Sequence, residues 1–259
     1  MWGSIGFAVT ALIGGQFLSY FGVNNILYLY MVFTILTLLI VRKVSDANVS
    51  SKPISLGSAV KMVTKPSFFL FLICIMFITI PHRTNDTYVG IYINQLDGSE
   101  SMIGWAWFVG VIVEAIVLML SAYWIRLLNE TTYLIIAATI YGIRWQLVSL
   151  VESPVHVVML QALHGVTFGI FYVCAFQFVS KIVPRELQAT GQLLFMSIFF
   201  GLSGIVGSVA GGIIIEQFGG ATLYEVLGYT SFVGVICLVA YQLIFKEKNS
   251  YLTRVNQNI

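Results

Sequence analysis

Four places in this sequence set ionisable side chains inside long apolar runs. The densest is Pro81-His82-Arg83-Thr84-Asn85-Asp86. On a helix, His82 and Asp86 stand four apart and share a face, while Arg83 and Asp86 stand three apart and can pair. Pro81 cannot donate to the carbonyl four residues back, so the spacing predicts a broken or kinked helix here. Glu114 stands alone in the next run, with no basic residue on the same helix. It must find a partner on another helix or be protonated at neutral pH, which suits a proton carrier. Arg144 follows, beside Trp145 and Gln146. Its permanent charge asks for a carboxylate, Glu114 being a candidate, or for a substrate anion. Gln161 and His164 complete the set. Charge at a bilayer centre costs at least ~2.5–3.5 kcal/mol per residue, so each group is a candidate for solute binding or proton coupling. Plainer roles stay open. The 81–86 cluster could lie at the outer interface or be a structural Arg–Asp pair, Glu114 a satisfied structural carboxyl, and His164 a hydrogen-bonded core histidine.

These side chains need elements that hold them at one depth. Of 259 residues, 58% are hydrophobic and 9% charged, and mean hydropathy is +0.91. A soluble domain carries about 25% charged residues, so a water-facing surface of this size cannot be built. Apolar runs sit near 2–21, 25–42, 66–93, 102–125, 132–150, 155–180, 190–215 and 224–245. Each approaches the roughly 20 residues a bilayer core requires, and backbone in hydrocarbon must satisfy itself, which makes them helices. The expected class is an all-α polytopic membrane protein of about eight spans. At a rise of about 1.5 Å per residue, Glu114, Arg144 and His164 fall within roughly 6 Å of their span midpoints, the matching depth one cavity requires.

Several classes are excluded. The net charge of +2 is too small to suggest nucleic acid. Cys74, Cys174 and Cys237 are scattered through apolar runs, with neither zinc spacing nor a disulfide framework. Zincin, nucleophile-elbow and phosphate-loop motifs are missing, so neither an enzyme nor a cofactor or metal is expected. The start lacks the basic region and cleavage site of a signal peptide.

Lys and Arg set the orientation. If the polar stretch 43–65 is cytoplasmic, so are the segments near 126–131 and 181–189 and the tail. Those regions hold Arg42, Lys43, Lys52, Lys61, Lys65, Arg126, Lys181, Arg185, Lys246, Lys248 and Arg254, whereas the opposite turns hold only Asp97, Glu100, Glu152 and Glu216. This is the positive-inside pattern.

An internal repeat refines the count. Gly14-Gly15 and Phe21-Gly22 recur as Gly211-Gly212 and Phe218-Gly219, at an offset of 197 residues, each followed by a Leu-Tyr pair. Both Gly-rich spans also begin with spaced small residues, which let helices approach closely in lipid; a chance likeness of two packing helices is the alternative. The Gly-rich span is fifth of six after the linker but first of two before it. A matching first half therefore lacks four helices upstream of Met1, about 130 residues in a parallel repeat of six-helix halves. The expected organisation is 1–42 as the last two helices of one half, 43–65 as a cytoplasmic linker, 66–246 as a complete six-helix half and 247–259 as a cytoplasmic tail.

Trp2-Gly3-Ser4-Ile5-Gly6-Phe7, Glu114, Arg144 and Leu163-His164 resemble polar and aromatic positions of the oligosaccharide–proton and phenylpropionate-type symporters of the major facilitator superfamily, the group typified by lactose permease. The resemblance implies that this chain is equivalent to helices 5–12 of that fold. It also implies that Glu114 and His164 touch a small-molecule substrate and that Arg144 helps proton coupling. Phe7 stands where lactose permease has its sugar-stacking Trp, and Thr167 where the coupled carboxylate is expected. These departures argue against lactose and move proton coupling to Glu114 or Asp86.

Overall fold

The computed structural model describes residues 2–43, 57, 62 and 64–257, with side chains from Gly3 through Phe245. Most of the expected linker 43–65 lies outside the described residues. The described residues form helices: α1 (Trp2–Phe21), α2 (Ile26–Val41), α3 (Pro66–Gln95), α4 (Glu100–Met119), α5 (Glu130–Ser149), α6 (Pro154–Leu160), α7 (Ala162–Ile182), α8 (Gln188–Met196) and α9 (Ser203–Gln257).

Two irregularities combine these helices into rods. Gln161 joins α6 to α7, and a π-helical turn at Ser197–Leu202 joins α8 to α9. A third divides α9: Gly219 has φ 84° and ψ 171°, which ends one rod and starts another. The result is eight rods, the number the sequence predicts. Among the described residues, six stretches are long and apolar enough to cross a membrane by length and composition alone. One of those, Arg185–Phe245, contains both rods around Gly219. The remaining rod, α5, is 20 residues long, about 30 Å at 1.5 Å per residue, and is made more polar by Thr131, Thr132, Arg144 and Gln146.

Turn chemistry follows the residues. Gly22 takes φ 89° after Phe21, the same left-handed corner that Gly219 takes after Phe218. Side chains are strained in that region and glycine is not. These two glycines lie at the repeat offset, so the sequence repeat is also a backbone repeat. Asp97 closes the turn after α3 at φ 60°, where a short polar side chain is tolerated. Asn129 caps α5 by accepting the Thr132 backbone N–H at 2.8 Å, and Pro66 opens α3 at a position whose N–H would be unused.

Of the break or kink expected at Pro81, the break is not made: α3 is helical from Pro66 to Gln95. Beside the proline, the Thr84 hydroxyl donates back to the Ile80 carbonyl at 2.8 Å within α3, and the Thr79 and Ser203 hydroxyls bond at 2.7 Å across to α9. In a membrane bundle such support lets a helix carry proline.

The buried core lies among α3, α5, α7, α8 and α9, built on Phe71, Tyr141, Trp145, Phe171, Phe195 and Tyr224. α1 joins through α4, where backbones touch: a Cβ on Gly15 would stand 2.8 Å from the Gly104 Cα. α2 contributes no buried residue.

Candidate functional site

A cavity of about 450 Å³ opens among α1, α3, α4, α7 and the π turn, lined by Gly3, Ser4, Phe7, His82, Arg83, Asp86, Trp107, Val111, Glu114, His164, Phe168 and Phe200. A second cleft, of about 480 Å³, lies between α1, α2 and α4 and is mostly apolar, with Asn94 and Glu100 at its edge. It holds no cluster of groups able to move a proton, so the first is the chemically equipped one.

α3 supplies the polar floor. Arg83 donates to Asp86 at 2.6 Å, and the His82 Nε2 lies 3.5 Å from the same carboxylate oxygen. Both pairings follow from the i,i+3 and i,i+4 spacing. The Arg83 guanidinium also lies over Phe200 at 5.5 Å. Two polar atoms of this ion pair, Arg83 Nε and Asp86 Oδ1, are buried without a hydrogen-bond partner. Such groups are rare because each gives up its hydration for nothing. His82 is held from behind by the Tyr141 hydroxyl, 2.9 Å from its Nδ1.

α4 supplies Glu114, which accepts a hydrogen bond from the Ser4 hydroxyl of α1 at 3.1 Å. The expected pairing of Glu114 with Arg144 is not made. Arg144 is fully buried behind the cavity, donating to the Gln161 Oε1 at 2.5 Å and to the His164 Nδ1 at 3.4 Å, with its guanidinium 4.1 Å over the Trp145 ring. α7 stands between α4 and α5, so the nearer acceptors on Gln161 and His164 capture the guanidinium.

α7 supplies His164 and Phe168. The His82 and His164 rings stack at 5.2 Å, His82 and Phe168 at 4.9 Å, and Trp107 meets His164 edge-on at 6.0 Å. Phe7 packs edge-on against Trp107 at 5.6 Å. Asn85 points elsewhere: its Oδ1 accepts from the Tyr224 hydroxyl at 3.0 Å, in the core between α3 and α9.

Of the residues singled out from sequence, Phe7, His82, Arg83, Asp86, Glu114 and His164 line one cavity, while Arg144 and Asn85 stand behind it. The sequence reading missed Trp107, Phe168 and Phe200 as wall residues and Ser4 and Tyr141 as partners. Two had a usable signal: Trp107 is seven residues before Glu114 and Phe168 four after His164, spacings that share a helix face. Nothing local marks Tyr141 as a partner of His82.

His82, Asp86 and His164 are the described group whose donor atoms cluster tightly, within 4.8 Å of one another. Two arginines stand against these groups, one on Asp86 and one on His164. That cationic setting opposes a divalent cation, so the cluster fits hydrogen bonding better than metal binding.

Residues 1–226 match the MFS_1 like family. The chain is 24% identical over 252 residues to the uncharacterized transporter YwbF of Bacillus subtilis, covering 97% of this chain and 63% of that protein. It is 25% identical over 248 residues to a probable 3-phenylpropionic acid transporter of Escherichia coli, covering 95% and 62%. It is 23% identical over 241 residues to the maltose permease of Geobacillus stearothermophilus, covering 92% and 61%. Among solved structures, a mutant of the nucleoside transporter NupG superposes with a TM-score of 0.80 at 16% identity, over 93% of this chain and 66% of that one. The chain thus spans less than two thirds of the length of these relatives.

Proposed function

This chain belongs to the MFS_1 like family of the major facilitator superfamily, and from that membership we propose that its cavity serves proton-coupled symport of a small polar or aromatic solute across the cytoplasmic membrane. The observation that carries the reading is the convergence of Glu114, Asp86, Arg83, His82 and His164 on one aromatic-walled space. A proton carrier must meet both water and solute, and Glu114 lies in that space with one hydroxyl on it. Stacked rings offer a flat apolar surface, while Arg83 Nε and Asp86 Oδ1 retain unused hydrogen-bonding capacity. The relatives named as phenylpropionate and maltose carriers bracket that chemistry, one aromatic and one polar. The distribution of Lys and Arg supports a cytoplasmic linker and C-terminus.

The test is solute-driven proton uptake in proteoliposomes holding the full-length parent, screened over sugars, nucleosides and aromatic acids. Glu114→Gln should abolish coupled proton uptake while solute still exchanges; unchanged coupling would end the role given to Glu114.

A second reading has one observation in its favour: α2 buries nothing, and among the described side chains of α1 only Ala8 is buried. On it, these 259 residues do not transport by themselves and work beside helices of the parent chain. Uptake by the 259-residue chain alone, in the same assay, would overturn it.

A further inference from the structure

Arg144 lines no part of the cavity, yet it is among the largest fully buried side chains of the protein. Its environment reads through hydrogen-bond inventory. A guanidinium carries donors only, and a neutral imidazole carries one donor and one acceptor. The Arg144 Nη1 faces the His164 Nδ1 at 3.4 Å, so that nitrogen must be the acceptor and must be bare. The remaining proton of a neutral ring then sits on Nε2.

The ring cannot exchange these roles easily. Its Cδ2 edge rests against α4, where a Cβ on Gly110 would lie 3.4 Å away. Turning the ring over would put carbon against the guanidinium and leave Nδ1 facing Gly110. Arg144 itself is fixed by the Gln161 Oε1 at 2.5 Å and by the Trp145 face.

We infer that Arg144 is a positioning residue that holds His164 in its Nε2–H tautomer, so that His164 offers the cavity a hydrogen-bond donor and the solute must bring an acceptor atom, such as a carbonyl, ether or carboxylate oxygen. Other charged or titratable groups near His164 are His82, Asp86 and Arg83 on α3 and Glu114 on α4, all lining the same cavity. A second proton on His164 would set N–H against N–H at Arg144. His164 is therefore a donor and not the coupled proton's carrier. The requirement for an acceptor rests on the proposed solute site; the tautomer does not.

The experiment is a multiple-bond 1H–15N spectrum of the 259-residue chain in nanodiscs at neutral pH, with 15N-labelled histidine. His82→Gln and His156→Gln variants assign the three imidazoles. The expected result for His164 is one protonated nitrogen, Nε2, and one bare nitrogen, Nδ1. Arg144→Lys should keep that pattern, since ammonium is also a donor. Arg144→Gln should lose the single-tautomer signature, since an amide can present its carbonyl to Nδ1–H. A wild-type spectrum showing Nδ1–H or a doubly protonated ring overturns the inference without any variant. A folded Arg144→Gln chain with an unchanged tautomer also overturns it, because packing alone would then fix the ring. No solute is present, so the failure of the transport reading would leave this result standing.

Discussion

The first two rods and the last two share local sequence and differ in their surroundings. Gly15 and Gly212 each approach a neighbouring helix, and Gly22 and Gly219 turn the same left-handed corner after phenylalanine. Beyond that the likeness stops. Tyr28 after the first corner is 67% exposed, while Tyr224 after the second is completely buried and hydrogen-bonded to Asn85. Gly3, Gly6 and Gly14 have open space where a Cβ would be, whereas Gly207 and Gly211 are pressed against Thr84 and Tyr88 of α3. Local backbone is therefore dictated by the residues of each rod, and burial by the helices beside it.

The widest gap should appear on truncating the two tyrosines. Tyr224→Ala is expected to cost about 3–5 kcal/mol, as for other large buried aromatic residues, and Tyr28→Ala to stay within about 0.5 kcal/mol. Denaturant unfolding in detergent measures both, and equal losses would break the comparison. The small-residue faces come next. Gly207→Ala should cost about 1–3 kcal/mol by overpacking, because its new methyl would meet Thr84 Oγ1 at 2.6 Å and the Ile80 carbonyl at 3.1 Å. Gly6→Ala should be neutral or gain up to about 1 kcal/mol from helix propensity, read in the same unfolding curves. The corners sharpen the contrast further. Gly219→Ala should lose about 1–3 kcal/mol in that glycine-favouring conformation, since Gly220 is bound to the Gln95 side chain at 2.9 Å. Gly22→Ala should lose less, because α2 buries no residue against its neighbours. The smallest effect tests where the first rod reaches the chemistry. Ser4→Ala removes the hydroxyl on Glu114 and should weaken solute affinity by about 0.5–1.5 kcal/mol with little change in thermal stability.

Much of this was legible in the sequence. Run lengths carry the eight rods, because bilayer thickness fixes helix length whatever the neighbours are. The Arg83–Asp86 and His82–Asp86 pairs were legible because both partners sit on one helix, where spacing alone determines distance. Partners on different helices were not. Arg144 chose Gln161 and His164 over Glu114 because the choice depends on which helix stands beside which, and depth along the membrane carries no such information. Pro81 misled for a related reason: its local effect is a lost hydrogen bond, whereas contacts of α3 with other rods, such as Thr79 with Ser203, are not written in its own residues. Asn85 reads as part of the polar cluster by position, but its azimuth on α3 turns it toward Tyr224.

The π turn at Ser197–Leu202 takes up an extra residue without shifting the phase of its rod on either side. A π turn takes in a residue more than an α turn, and each helical residue advances the chain by about 100°. Phe199 in that turn faces His82 and Phe168, while Ser203 just after it reaches Thr79 on the same neighbour. Deleting one residue here would let the rod close into plain α-helix with Gln188–Met196 in nearly the same phase, because the wider turn holds the one extra residue. Phe195 would keep its place in the core, while the bulged stretch that carries Phe200 to the cavity would lose its local shape. The stretch is a local bulge that re-aims a few side chains and spares the rest of its rod.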